Sequence, residues 1–523
     1  MVNSEAIDSA SSVSTARYLL ACVLFVTYLV ILGVAYNGVW QIMLNFRYSK
    51  GKKTRQEREI GMNESLEGVS IIRPLKGIDP EMSSCLESSF VQDYPSDRFE
   101  ILFCVDDPND TCIPIVESLL KKHSHISARI LVSQNYNEVS RTSDEHFGPN
   151  PKVNNLAKGF LAAKYDIVWV MDSNVWASSR VLKRSVRCMQ QNIDNGRPVH
   201  GKRSVKLVHH APMAISVADT EYSLSPISSG SNFASSGSNG HHKRILKKFG
   251  AKLDEMFLLT SHAKFYTSFN NLSVAPCVNG KSNLYRRSDL DHAVSQIPKR
   301  GHSSAFFNSP EVLKDAFHFT SLGPGHAIKF FSRYIGEDNM IAICLWENVL
   351  GRTGMTGDVV VQPLSGEDNS VNDYFERRTR WLRVRKYMVL AATLLEPATE
   401  SILSGIYGNF AITTLFGLGA KDNQYFYWPL FLIHMSIWIT TDYIQYYVLI
   451  DSAVHSDKLE LLPAWMDSKS LPPLKRSFFD WSLAWLGREL LALPIWVAAI
   501  VGHEIDWRGR PFRIKQDLTA EEL

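Results

Sequence analysis

The run Ile167-Val168-Trp169-Val170-Met171 ends on Asp172, with Ser173 and Asn174 following. An apolar run of this length reads as a buried strand, and open α/β sheets take ligands at the carboxyl ends of their strands. Asp106 and Asp107 follow a second such run, Ile101 to Val105, and Glu337-Asp338 open an apolar helical stretch that reaches Trp346. Acids at strand ends can hold Mn2+ or Mg2+, hard ions that take oxygen ligands and bridge phosphates. Asp172 is the candidate ligand. Asn174 returns to the same side of an extended chain and can add a neutral oxygen. Each acid has a capping alternative, since a carboxylate near a helix start is favoured by free N–H groups and the dipole. Three acids in matching contexts favour chemistry over capping.

Arg377, Arg380 and Trp381 fall at i, i+3 and i+4, on one helical face. Two guanidiniums can clasp a diphosphate bidentately, and the indole can stack or pack at an acceptor. The alternative is a membrane-interface belt that includes Arg383, Arg385 and Lys386. Both hold if one face meets headgroups and the other the site. Sugar transfer from a nucleoside diphosphate donor needs an electrophile for the departing diphosphate, a base for the incoming hydroxyl and a nucleotide pocket. Asp338 suits the base, a role worth about 10²–10⁴-fold in rate. Strand-end acids, a further acid and an Arg/Trp cluster ahead of an apolar carboxyl third imply a membrane-bound sugar transferase.

The elements that must position these residues are legible between 69 and 170. Strands are expected at Val69–Ile72, Ile101–Val105, Ala128–Val132 and Ile167–Met171, and helices at 81–90, 113–122 and 154–163. Strand–helix alternation at this spacing predicts an α/β fold, a mostly parallel sheet with helices on both faces. Pro74-Leu75-Lys76-Gly77 stands where a dinucleotide-binding Gly-rich turn would follow the first strand, which counts against a dehydrogenase. The Ser/Gly/Asn-rich stretch 223–243 reads as a flexible insertion, and His241-His242 beside it as a solvated tip.

At 523 residues the chain can form two or more domains. A net charge of +3 gives no argument for nucleic acid, and seven scattered cysteines without a CxxC pair fit a reducing compartment. Tyr18–Tyr36 is an uncharged 19-residue run, long enough to span a bilayer. Basic residues crowd its carboxyl flank, so positive-inside bias puts the amino terminus in the lumen and the following domain in the cytosol. The sequons at Asn63, Asn109 and Asn271 are then expected to stay unglycosylated. Ser401–Ala420 and Phe426–Ile450 read as later spans, and Leu490–Gly502 as a tilted span, a re-entrant segment or an interfacial helix. Three later spans put the tail in the lumen, whereas Arg508, Arg510, Arg513 and Lys515 favour the cytosol. The expected organisation is an anchor at 1–40, a basic cytosolic linker at 41–68, a catalytic domain at 69–380 and interfacial and transmembrane helices with a basic tail at 381–523.

An ordered set of stretches resembles the ceramide glucosyltransferases, membrane relatives of the processive polysaccharide synthases with a GT-A catalytic domain. They are Val69 to Gly77, Cys104-Val105-Asp106-Asp107, Asn150-Pro151-Lys152-Val153-Asn154-Asn155-Leu156, Trp169 to Ser173, Thr260-Ser261-His262, Cys277-Val278-Asn279-Gly280, Glu337-Asp338, Arg377 to Trp381, and two tail stretches, Asp506 to Arg510 and Thr519 to Glu522. The resemblance implies that Asp107 lines the nucleotide pocket, with Asp106 able to share or swap that role. It implies that Asp172 serves the metal and diphosphate and that Asp338 is the base. Lys152 is expected at the donor site, and His262 and Cys277 match positions tied to activity or inhibitor sensitivity. The implied reaction transfers glucose from UDP-glucose to the primary hydroxyl of ceramide in the bilayer, with inversion. The implied location is the Golgi or endoplasmic reticulum. The alternatives are a processive synthase of the cellulose or chitin type, which needs more spans, and a non-catalytic membrane scaffold, against which the intact acids argue. The sequence carries no sign of oligomeric state.

Overall fold

The computed structural model describes residues 4–47, 66–134, 136, 146–217, 248–300, 304–417, 427–455, 461–467, 474–507 and 510–523. The insertion at 223–243, most of the basic linker and the sequon Asn63 lie outside them. Helix α1 covers Ser4–Asn45. The first half of the sheet follows: β1 (Val69–Leu75), α2 (Met82–Glu87), β2 (Phe99–Val105), α3 (Ile113–Lys122), β3 (Ala128–Val132), α4 (Pro151–Ala162) and β4 (Ile167–Met171). Every residue of β2 and β4 is buried, as a sheet covered on both faces demands. Strands β1 to β4 pair in parallel in the order β3-β2-β1-β4. The chain leaves β1 in one direction and returns to its other side at β4. This reversal opens a crevice at the carboxyl ends of β1 and β4, where Asp172 lies.

The expected strand Val69–Ile72 runs on through Pro74. Beyond Ile72 it pairs only with β2, so Pro74 needs no second hydrogen-bonding neighbour.

The second half was largely hidden from the sequence. After the two-residue strand β5 (Trp176–Ala177) and α5 (Val181–Gln190), β6 (Ile193–Asp194) and β7 (Arg197–Pro198) form a small hairpin. Then come β8 (Ser204–Val217), α6 (Gly250–Phe257), α7 (Ala263–Leu272) and β9 (Ser282–Arg286). These are followed by α8 (Arg287–Arg300), α9 (Pro310–Ser321), α10 (Ala327–Phe330), α11 (Glu337–Asn348) and β10 (Gly351–Ser365). The full sheet has eight strands, ordered β3-β2-β1-β4-β9-β8-β10-β5. Strand β9 is antiparallel to both neighbours, and β8 pairs in parallel with β10. The sheet is therefore mixed, with one parallel set at β1–β4 around the crevice and a second at β8 and β10.

The carboxyl third is α12 (Val371–Met388), α13 (Leu390–Leu395), α14 (Ser401–Leu415), α15 (Tyr427–His455) and α16 (Phe478–Val501), then a three-stranded sheet of β11 (Glu504–Trp507), β12 (Arg510–Ile514) and β13 (Ala520–Glu522). Two helices among the described residues are long and apolar enough to cross a membrane: Thr15–Asn45 within α1, and α16. The expected span at Ser401–Ala420 is helical only to Leu415, about 22 Å at 1.5 Å per residue, against a hydrocarbon core of about 30 Å. The 29-residue α15 carries Asp442 fully buried in its middle. The short apolar tract at 490–502 is the second half of the longer α16, in which Pro494 is accommodated.

These helices are fastened to the α/β core by charge as well as by apolar packing. Lys264 of α7 pairs with Asp442, to which Trp485 also donates at 2.9 Å. Arg476 forms a two-pronged pair with Glu255, at 2.7 and 3.0 Å. A Cβ on Gly38 of α1 would fall within 2 Å of the Lys264 carbonyl oxygen, so only glycine lets α1 lie so close to α7.

Candidate functional site

The crevice is built from main-chain ends held by side chains. Arg73, wholly buried at the end of β1, donates to the carbonyls of Cys85, Ser173 and Val175 at 3.0–3.2 Å. It thereby fixes the loop that carries Asp172. Asn155 of α4 donates to the carbonyls of Leu75 and Cys104 at 3.0 and 2.8 Å, tying together the ends of β1 and β2. Asn150 caps α4, accepting from the amides of Lys152 and Val153, while its Nδ2 donates to Tyr334 O and Glu337 Oε2. One asparagine thus couples the start of α4 to the start of α11.

Three of the expected residues, Lys152, Asp172 and Asp338, meet here. Lys152 Nζ lies 2.8 Å from Asp172 Oδ1 and 3.0 Å from Glu337 Oε1, and donates to Gly280 O at 3.1 Å. Lys281 Nζ lies 3.0 Å from the other oxygen of Asp172. Against the cost of burial, these two ammonium groups hold Asp172 well below the usual carboxylate range. Against the same cost, Asp172 and Glu337 hold Lys152 above its ordinary value. A Cβ on Gly280 would lie 3.3 Å from Lys152 Nζ and 3.4 Å from Asp338 Oδ2, so the bare glycine lets the loop and the two side chains converge. Burial, with the adjacent Glu337 carboxylate, pushes Asp338 up to about 7. An acid poised there can take a proton at neutral pH.

Asp106 and Asp107 separate by role. Asp106 accepts from Ser133 Oγ at 2.6 Å and lies 3.6 Å from Lys158 Nζ, inside the frame of the sheet. Asp107, the next residue out, accepts from the amide of Asn109 at 2.8 Å, a loop contact that leaves carboxylate lone pairs for a ligand.

His262 ends a π-helical turn, Leu258–His262, between α6 and α7. Its ring stacks on Tyr266 at 5.0 Å, and its buried Nδ1 has no hydrogen-bond partner among the described residues. Burial, helped by Arg378 and Arg385, pushes it down to about 3, so the imidazole is neutral. Cys277 is also half-buried, with its thiol raised by burial. Asp338 and Arg385 both act on it electrostatically, so Cys277 belongs to the same neighbourhood as His262 and the acid.

The two guanidiniums expected on one diphosphate go to different neighbours. Arg377 pairs with Asp254, whereas Arg380 reaches the carbonyl of Asp506 at 3.4 Å, toward the tail sheet. Trp381 lies half-buried with its ring 6.2 Å from that of Phe257. The helix carrying them starts at a capping box, Ser370 with Asp373. Along one helical face, i and i+3 are neighbours but not parallel, and different packing partners on the two flanks of α12 pull the guanidiniums apart. The interface-belt alternative is also changed. Arg383 donates to Ala498 O and Lys386 to the carbonyls of Ala499, Ile500 and Gly502, so both cap the carboxyl end of α16.

The expected metal site at Asp172 and Asn174 is not assembled. Both oxygens of Asp172 carry an ammonium group, and no three His, Cys, Asp or Glu side chains group as a metal cage among the described residues. A divalent ion at a diphosphate needs only one or two protein carboxylates besides phosphate and water, and one on Asp172 would have to displace Lys152 or Lys281 from its oxygens.

Sequence reasoning missed four residues of this neighbourhood. Lys281 follows the Cys277–Gly280 stretch, and a lysine directly after an Asn-Gly pair was the available signal. Glu337 was read as the neighbour of Asp338 and not as a partner of Lys152. Arg378 lies 3.4 Å over the Phe257 ring and 3.2 Å from Glu396, which also pairs with Arg385 at 2.8 Å. Only packing could reveal those two.

A mixed sheet with acids at its strand ends, covered by helices and flanked by apolar ones, is the frame of a glycosyltransferase, and comparison with known proteins shows that class. The family model of glycosyl transferase family 21 matches residues 25–199 and 324–520, and the chain belongs to that family. It is 54% identical to a ceramide glucosyltransferase of Candida albicans, over 95% of this chain and 96% of the other. To a ceramide glucosyltransferase of Komagataella phaffii it is 46% identical, over 97% and 92%. Among solved structures, a mannosyltransferase from Pyrobaculum calidifontis, in complex with GDP-Man and Mn2+, covers 84% of this chain and 98% of its own at 13% identity, with a TM-score of 0.37.

Proposed function

We propose that the protein transfers glucose from UDP-glucose to the primary hydroxyl of ceramide, with inversion, to make glucosylceramide. The observation that carries the reading is Asp338, held near neutrality at the rim of the Lys152–Glu337–Asp172 cluster. The relatives that share about half of this sequence over nearly its full length bear the name of that activity.

In this reading Asp338 takes the proton of the acceptor hydroxyl as its oxygen attacks the anomeric carbon. The bond from that carbon to the diphosphate oxygen breaks on the opposite face, and UDP leaves with the electron pair. Lys152 meets the negative charge that develops there, with Asp172 holding its ammonium in place. Asp107 meets the nucleotide, and Asp106 keeps the loop in position. His262 and Cys277 flank the acceptor side, His262 as a neutral hydrogen-bonding group. Arg377 and Trp381 brace the wall through Asp254 and Phe257, and Arg380 holds the tail. Mn2+ or Mg2+ enters no step, because the oxygens of Asp172 are already engaged.

The acceptor lies in a bilayer, and α1 and α16 supply the apolar surface for one. The catalytic domain faces the cytosol of a Golgi or endoplasmic reticulum membrane in this reading. Incubating the full chain in liposomes with ceramide and labelled UDP-glucose tests it. One labelled product carrying a single sugar supports the reading, and a labelled polymer or no product overturns it.

A further inference from the structure

Lys281 takes no part in the proposed transfer, yet it is fixed against the strand-end acid Asp172. Its Nζ lies 3.0 Å from Asp172 Oδ2, and its backbone carbonyl accepts from the amide of Asp172 at 3.2 Å. Its own amide donates to Asn279 Oδ1 at 3.2 Å. Main chain and side chain thus both fix it against the strand-end acid. Its charge also reaches Asp254, the partner of Arg377. The side chains of Lys152, Asp172 and Lys281 keep 18%, 22% and 19% of their surface exposed. Gly280, just before Lys281, lets Lys152 and Asp338 pack close against the same loop.

Asp172 alone cannot attract a diphosphate, because two anions repel. Lys152 is shared between Asp172 and Glu337, so the two lysines and two carboxylates together are neutral, while each ammonium keeps donor capacity for phosphate oxygens. A divalent ion could reach the same carboxylate oxygen only by displacing Lys281. We propose that Lys281 is a donor-diphosphate ligand, paired with Lys152 across Asp172, and that these two ammonium groups donate to the phosphate oxygens in the place a divalent ion would take. Asp172 is then a positioning residue that aims both lysines. The inference rests on the reading of the crevice as a nucleoside diphosphate site, and it stands apart from which acceptor receives the sugar.

The test uses the full chain in lipid nanodiscs, with UDP titrated calorimetrically in EDTA and again with Mn2+. The wild type should bind UDP in EDTA, with less than about threefold tightening by Mn2+. Lys281→Met should bind at least about tenfold more weakly in EDTA and regain affinity when Mn2+ is added, because an oxygen of Asp172 is then free for the ion. Lys281→Arg should keep metal-independent binding. Wild-type binding that is lost in EDTA and restored by Mn2+ overturns the proposal even if Lys281→Met fails to fold, and so does unchanged binding by a folded Lys281→Met. UDP binding as described without transfer to ceramide would sink the proposed acceptor and leave Lys281 in its role.

Discussion

At the scale of single residues, proton affinity separates the acids. Asp172, between two lysines, is ionised throughout the physiological range, whereas Asp338 is pushed up to about 7. A base must be deprotonated, so turnover should rise with pH through a midpoint near 7 and then level. His262, neutral down to about 3, should add no limb of its own above pH 5. A pH–rate profile of the purified enzyme checks both statements, and a flat profile between pH 6 and 8 would contradict the first. Asp338→Asn should cost about 10²–10⁴-fold in kcat while UDP binding stays within about threefold. A second change reads the crowding at the loop. Gly280→Ala puts a methyl group against Lys152 and Asp338, and it should lower kcat about tenfold in a protein that still melts cooperatively.

At the scale of elements, the sequence announced the strands and helices that bear the parallel half of the sheet. Runs such as Phe99–Val105 and Ile167–Met171 are apolar throughout because both faces are covered. The second half of the sheet was illegible for physical reasons. Strand β10 holds Gly351, Gly354, Gly357 and Pro363, and β8 holds His209, His210 and Pro212, residues that read as turns or sites outside a fold. His209 is held by Tyr266 and Asn270, a contact 57 and 61 residues away in the chain that no local pattern encodes. The acids of the crevice were legible because strand ends fix where they point. The arginines of α12 were not, because their direction depends on which helices pack around them. The buried Lys264–Asp442 pair makes a prediction at this scale. Removing one partner leaves an uncompensated buried charge, so Asp442→Ala should destabilise the protein by about 3–5 kcal/mol, seen as a lower Tm. The paired change Lys264→Met with Asp442→Leu should recover much of that loss.

At the scale of the whole molecule, exposed apolar surface is gathered on the helices outside the sheet. Leu19, Leu20, Val23, Val26, Leu29 and Val30 of α1 are exposed, as are Leu490, Leu493, Val497 and Val501 of α16. Surface of this extent marks contact with lipid or another apolar partner. Helix α13 exposes Leu390, Leu394 and Leu395 directly after α12, which brings an apolar edge close to the helix that walls the crevice. If a bilayer lipid reaches the site along that edge, Leu390→Asp with Leu394→Asp should cut activity on ceramide in liposomes by at least about tenfold. UDP binding should not change. Equal loss of both would point to misfolding and contradict the assignment of α13.

The most direct measurement of the central claim is glucosyl transfer by the full chain in liposomes, with radiolabelled UDP-glucose and short-chain ceramide, and Asp338→Ala run alongside. The account predicts one labelled lipid carrying a single sugar from the wild type and none from the variant. A labelled polymer, or a labelled lipid formed equally by Asp338→Ala, would contradict it.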